Sequence, residues 1–207
     1  MNGLKFYPGM LDFEKQRQLL AELQRVVKEA PLFTPRMPKS DRPFSVRMTN
    51  CGRLGWVSDR EGYRYQNFHP VTRRPWPPMP EIVLDIWRSV AEYPHLPEAC
   101  LVNYYETSAK MGLHQDKDED DLDAPVVSVS LGDTALFRAG GINRSDPTKS
   151  FRLSSGDVIS FGGDSRMIFH GVDRVIPNTS QLLSNGGRIN LTLRRVTKPE
   201  SSSLAEP

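Results

Sequence analysis

The run Leu113-His114-Gln115-Asp116-Lys117-Asp118-Glu119 decides how this chain reads. His114 and Asp116 stand two apart, so an extended segment sends both side chains out of the same face. A neutral imidazole and a carboxylate projecting together are two thirds of a 2-His-1-carboxylate site. Such a site holds non-haem Fe(II) and leaves open positions for a co-substrate and O₂. The missing histidine must come from elsewhere, and the chain holds only His69, His95, His114 and His170. His69 and His95 lie in proline-rich connections. His170 closes the strand-like run Arg166-Met167-Ile168-Phe169-His170 ahead of Gly171 and is the better third ligand. A surface His-x-Asp with an unrelated core histidine would read the same, so a second signal is needed.

That signal is Arg188-Ile189-Asn190-Leu191-Thr192-Leu193-Arg194. It alternates like a half-buried strand, with Ile189, Leu191 and Leu193 on one face and Arg188, Asn190, Thr192 and Arg194 on the other. Guanidinium groups bind carboxylates in bidentate geometry and stay charged when desolvated. Two arginines flanking an asparagine suit a dicarboxylate such as 2-oxoglutarate, bound to the metal at one end and to Arg188 or Arg194 at the other. The pattern leaves open which arginine takes which end. From Cys100 onward short strands alternate with glycine and aspartate turns, as in a double-sheet jelly roll.

These segments resemble a known family. Cys100-Leu-Val-Asn-Tyr-Tyr, Leu113-His-Gln-Asp-Lys-Asp-Glu, Ala124-Pro-Val-Val-Ser-Val-Ser-Leu-Gly, Ser155-Gly-Asp-Val, Gly162-Gly-Asp-Ser-Arg, Phe169-His-Gly and Arg188-Ile-Asn-Leu-Thr-Leu-Arg follow the order of the bacterial AlkB family. Asn50-Cys-Gly-Arg-Leu-Gly-Trp and Gly62-Tyr-Arg-Tyr resemble its nucleotide-recognition region. The resemblance implies an α+β fold: a double-stranded β-helix (jelly-roll) core with N-terminal flanking helices and a nucleotide-recognition lid. It implies Fe(II) on His114, Asp116 and His170, with 2-oxoglutarate and O₂ as co-substrates. Asn103, Tyr105, Arg188, Asn190 and Arg194 would bind 2-oxoglutarate. Trp56, Tyr63, Asp118, Arg144 and Phe161 would face the substrate; Phe161 departs from the family pattern, which has tryptophan there. The implied activity is a dioxygenase that demethylates N-alkylated bases of the 1-methyladenine and 3-methylcytosine type, releasing formaldehyde. The implied partner is alkylated single- or double-stranded DNA, with RNA left open. An oxygenase acting on RNA alone or on protein, or a non-catalytic lesion-binding module, are the rival readings.

The remaining sequence fits that frame. At 207 residues the chain suits one domain: 1–197, with a lid at about 40–78, a catalytic core at about 100–196, and a disordered tail at 198–207. No apolar run reaches the ~18 residues of a membrane span, and the N-terminus lacks the apolar core of a secretion signal. Cys51 and Cys100 match no zinc spacing, so a monomer in the reducing cytoplasm is the default. The net charge of +2 is too small to imply nucleic-acid binding, so the local distribution must carry that argument. Between Arg36 and Arg74 nine Lys/Arg face only Asp41, Asp59 and Glu61. Phe44, Trp56, Tyr63, Tyr65 and Phe68 are interleaved with them. Cations for phosphates and aromatic faces for bases are what flipped-base binding requires, although a solvated basic hairpin would look similar. Asp12 should cap a helix with a stripe of Phe13, Leu19, Leu20, Leu23, Val26 and Val27, stopped by Pro31. A second helix should start at Pro80 or Glu81 and bury Ile82, Val83, Ile86, Trp87 and Val90. Six acids crowd residues 116–123. They lack the central glycine of a calcium loop, and all but Asp116 and Asp118 read as a solvated loop.

Overall fold

Asp12 caps the first helix, accepting from the Lys15 amide at 2.8 Å. In the computed structural model, which describes residues 3–200, that helix is α1 (Phe13–Glu29), preceded by the strand β1 (Leu4–Tyr7). Leu19, Leu23 and Val26 are buried as their spacing requires, but Phe13 is 58% exposed. The first turn instead buries Gln16. Its amide donates to the Leu11 carbonyl at 2.8 Å and accepts from the Ser155 hydroxyl at 2.7 Å, so the polar side chain is fully matched. The docking is close: a Cβ on Gly156, whose φ is +89°, would sit 2.4 Å from the Leu11 carbonyl oxygen. Only glycine fits that turn.

The chain then forms β2 (Val46–Gly52), the hairpin β3 (Gly55–Asp59) and β4 (Gly62–Gln66), and α2 (Glu81–Val90). Val46–Gly52, inside the stretch read as lid, is the edge strand of the large sheet. Then follow β5 (Ala99–Tyr105), β6 (Met111–His114), β7 (Val126–Gly132), β8 (Thr134–Ala139), β9 (Lys149–Leu153), β10 (Val158–Phe161), β11 (His170–Ile176) and β12 (Arg188–Arg194). They build a six-stranded sheet, β1-β10-β7-β12-β5-β2, and a four-stranded sheet, β6-β11-β8-β9. Every pairing is antiparallel. This is the jelly-roll core with flanking helices that the strand pattern predicts.

Two apolar clusters hold it together. Leu19, Leu23 and Val26 of α1 and Val83, Ile86, Trp87 and Val90 of α2 pack on Val102, Val127, Val129, Leu191 and Leu193 of the large sheet. Val46, Leu101, Phe137, Ile159, Phe161 and Val172 fill the space between the sheets. The large sheet is therefore covered on both faces. Both faces of β12 are covered, so the strand is buried rather than half-buried: Arg188, Asn190, Thr192 and Arg194 all lie inside. A polar strand face inside a sandwich must be satisfied by a site or by partners. The tail expectation falls largely on residues 201–207, outside the described residues.

Leu191 is fully buried at the centre of this arrangement. Leu191→Ala should lower unfolding stability by about 2–5 kcal/mol in urea titration. Ile142→Ala, at a 61% exposed position, should change it by less than about 0.5 kcal/mol.

Candidate active site

His114 ends β6 and His170 begins β11, and the two are direct partners in the antiparallel register. Their rings lie 4.5 Å apart between centroids. Each Nδ1 meets a carbonyl two residues upstream: His114 with Gly112 at 2.9 Å, His170 with Ile168 at 3.1 Å. A carbonyl there fixes the proton on Nδ1 and leaves the Nε2 lone pair free for a metal. Both Nε2 atoms face Asp116, at 3.8 Å from Oδ1 and Oδ2 respectively. These donor atoms lie within 4.8 Å of one another, the one such His/Cys/Asp/Glu group among the described residues. Burial, and then His114, push the His170 pKa down to about 4 against the pull of Asp116, which favours the neutral imidazole a metal would need. Burial works against the Asp116 carboxylate, but Arg194 and then the imidazoles hold its pKa well below the usual carboxylate range. The other histidines are elsewhere. His69 is buried, with Nδ1 accepting from the Val71 and Thr72 amides and Nε2 on the Pro31 carbonyl. His95 is exposed in a turn.

Arg194 binds the Asp116 carboxylate, with Nη2 2.8 Å from Oδ1. Behind it lies a buried network invisible in the spacing of residues. Arg166 donates to Glu119 Oε2 at 2.9 Å, to the Ala124 carbonyl at 2.9 Å and to the Asp116 carbonyl. The Tyr65 hydroxyl donates to Glu119 Oε1. Glu119 and Asp121, read as solvated acids, are 6% and 2% exposed; Asp121 accepts from the Tyr93 hydroxyl at 2.7 Å. Each acid is buried because a distant cation or hydroxyl meets it. Arg166 does stand in the Gly162–Arg166 run that carries the family resemblance, the one available hint of its importance.

A cavity of about 540 Å³ opens over the triad, and every site residue singled out in the sequence lines it except Arg188. Asn103, Tyr105, Asn190 and Arg194 are contributed by two adjacent strands in register. The Asn190 amide donates to Ser128 Oγ at 2.7 Å, and its oxygen accepts from Thr192 at 3.2 Å. Asn103 Oδ1 is buried without a partner. Arg188 lies one same-face position beyond Asn190, opposite Tyr105, and is 1% exposed. Its guanidinium meets only neutral groups, Ser130 Oγ at 2.9 Å and the Leu153 carbonyl at 3.4 Å, and its Nε has no partner. Burial lowers its pKa to about 10. Tyr105 and Asp157 pull the other way without bonding to it; a buried cation with no directly paired carboxylate is costly and is the chemistry that a carboxylate would complete.

The mouth is aromatic and acidic. Trp56 and Tyr63 stack at 5.5 Å with planes 17° apart, and Tyr63 is half exposed. Trp56 Nε1 donates to Asp118 Oδ2 at 2.8 Å. Arg144 donates to the Leu113 carbonyl at 2.9 Å and lies over the Phe169 ring. Phe161 is buried face-on against His170, 5.0 Å between centroids, so it forms the wall behind a ligand histidine. In the basic segment Arg36 and Arg60 share Asp41, and Arg64 holds Asp59. Lys39, Arg42, Arg47, Arg73 and Arg74 have no acidic partner among the described residues.

Arg188→Met offers a direct check of Arg188 as a carboxylate anchor. Replacing an unpaired buried cation with an apolar side chain should leave the ligand-free protein within about 1 kcal/mol of wild type, or more stable. The rise in melting temperature that 2-oxoglutarate gives in the presence of Mn(II) should disappear. Persistence of that rise in the variant would place the carboxylate elsewhere.

Comparison with known proteins agrees with this geometry. Residues 3–194 match the 2OG-Fe(II) oxygenase superfamily. The chain is 52% identical over 193 residues to an alpha-ketoglutarate-dependent dioxygenase AlkB homolog of Caulobacter vibrioides, covering 93% of this chain and 87% of the relative. It is 42% identical over 192 residues to the alpha-ketoglutarate-dependent dioxygenase AlkB of Escherichia coli, covering 91% and 88%. The solved structure of OsALKBH1 superposes with a TM-score of 0.79 at 34% identity, covering 93% of this chain and 96% of that one. With two imidazoles, a carboxylate and an arginine strand converging as that family requires, the chain belongs to the AlkB family of Fe(II)/2-oxoglutarate-dependent dioxygenases.

Proposed function

We propose that this dioxygenase repairs DNA by oxidative dealkylation of N-alkylated bases of the 1-methyladenine and 3-methylcytosine type. The observation that carries the reading is the common cavity. It joins the His114–Asp116–His170 triad to a stacked Trp56–Tyr63 pair and the exposed carboxylate of Asp118. The donor set suits Fe(II), and the partnerless Nε–H of buried Arg188 suits a carboxylate. Bound Fe(II) would supply the oxidant: one atom of O₂ converts 2-oxoglutarate to succinate and CO₂, the other hydroxylates the N-methyl carbon, and the hydroxymethyl group then leaves as formaldehyde.

The chain's own residues do the rest. Arg194, already on Asp116, serves the metal end of 2-oxoglutarate, and Arg188, further along β12, anchors the far carboxylate. Asn103, Tyr105 and Asn190 line the space between. Trp56 and Tyr63 give an unstacked base an aromatic platform, the sequence-tolerant means of holding a flipped nucleotide. Asp118 spends one oxygen on Trp56 and keeps the other for a cationic base. Arg144 and the unpaired cations Lys39, Arg42, Arg73 and Arg74 suit the phosphate backbone. Phe161 and Phe137, stacked beside His170, keep water off the metal side. The unit doing this work is one oxygenase domain, 1–197. We place it as a monomer in a reducing cytoplasm, where the buried free thiols Cys51 and Cys100 would stay reduced.

The charge of the base is the testable part. Asp118→Asn should cut kcat/KM for 1-methyladenine in a single-stranded oligonucleotide by roughly 10- to 100-fold, the loss of one charge-assisted contact. The same variant should lose far less on the neutral lesion 1-methylguanine. Equal losses on both lesions would remove the electrostatic role assigned to Asp118.

A further inference from the structure

Trp56 and Tyr65 are cross-strand partners in the β3–β4 hairpin, so both side chains leave it on one face. Each meets an acid in the loop after β6, Trp56 on Asp118 and Tyr65 on Glu119. The first contact lies at the cavity mouth. The second is different: the Glu119 side chain is 1% exposed and sits between two buried arginines.

Glu119 Oε2 is taken by Arg166 at 2.9 Å. Oε1 accepts the Tyr65 hydroxyl and lies 3.4 Å from Arg194 Nε, an N–H that makes no hydrogen bond. Meanwhile Arg194 Nη2 holds Asp116 Oδ1 at 2.8 Å. One guanidinium therefore stands between two carboxylates, and its Nη1 also donates to the Tyr65 hydroxyl at 3.4 Å. Tyr65 thus touches both partners, donating to Glu119 Oε1 and accepting from Arg194. Without that hydroxyl Arg194 Nη1 loses an acceptor and Glu119 a donor, and the nearest remaining pairing, Nε–H with Oε1, would draw the guanidinium toward Glu119 and off Asp116. Buried groups left without a partner find the nearest one, because an unmet hydrogen bond is expensive at low dielectric.

We propose that Tyr65 is a positioning residue: from the lid hairpin it holds Glu119 so that Arg194 stays on Oδ1 of Asp116, coupling metal affinity to the seating of the lid. The Asp116 carboxylate would then be held in one orientation toward the two imidazoles, as a partner bonded to a ligating carboxylate does. The proposal rests on the assignment of His114, Asp116 and His170 as metal ligands. Coupling of this kind is reciprocal. A base that seats the hairpin through Trp56 tightens the metal, and the metal tightens the base.

The test is calorimetric titration of the metal-free full chain with Mn(II), with and without a 1-methyladenine oligonucleotide. Tyr65→Phe is compared with Tyr93→Phe, which deletes a hydroxyl bonded to Asp121 in the same acidic loop. The Tyr65 variant should bind Mn(II) on the order of 10-fold more weakly, and the oligonucleotide should no longer tighten it. The Tyr93 variant should match wild type in both respects. Wild-type affinity in Tyr65→Phe, or an equal loss in Tyr93→Phe, would overturn the proposal while leaving the metal site intact. Failure of the wild-type chain to bind Mn(II) would overturn both.

Discussion

One ion pair organises this site: Arg194 on the Asp116 carboxylate, 2.8 Å apart and both nearly sealed from solvent. Burying either charge alone would be prohibitive, so each requires the other. Their pairing ties the last strand of the large sheet to the loop that leaves the small sheet. His114 and His170 reach the same point from neighbouring strands of the small sheet. The candidate metal site is thus a seam between the two layers of the sandwich. It forms only when both sheets are assembled and their separation is set by the apolar cluster between them.

The seam also explains why β12 carries charge on a strand covered by helices on one side and by a second sheet on the other. Its apolar residues, Leu191 and Leu193, belong to the helix-facing core, while its polar residues form the floor of the cavity or sit beyond it. Arg194 is ion-paired to Asp116, whereas Arg188 donates only to Ser130 and the Leu153 carbonyl. The two buried guanidiniums of one strand thus differ in their counter-charge, although each keeps an unpartnered Nε–H.

Local patterns were legible in the sequence, and long-range ones were not. The His-x-Asp pair, the arginine strand, the Asp12 cap and the Trp87 stripe depend on residues close in the chain, where spacing dictates facing. Glu119 and Asp121 look like their neighbours Asp118, Asp120 and Asp123; only the arrival of Arg166, Arg194 and Tyr93 from distant segments makes them interior groups. Gln16 displaced Phe13 from the buried face for the same reason, since its partners Leu11 and Ser155 meet it only after folding. In the basic segment, sequence counts gave the net excess but could not tell Arg60 and Arg64, spent on Asp41 and Asp59, from the free cations beside them.

Direct product analysis tests the central claim most sharply. The protein would be loaded anaerobically with Fe(II), 2-oxoglutarate and a 1-methyladenine single-stranded oligonucleotide, and air then admitted. The account predicts succinate and formaldehyde in equal amounts, matched by restored adenine in the strand. Succinate without adenine would keep the dioxygenase but contradict the assigned substrate, and the absence of both products would contradict the account as a whole.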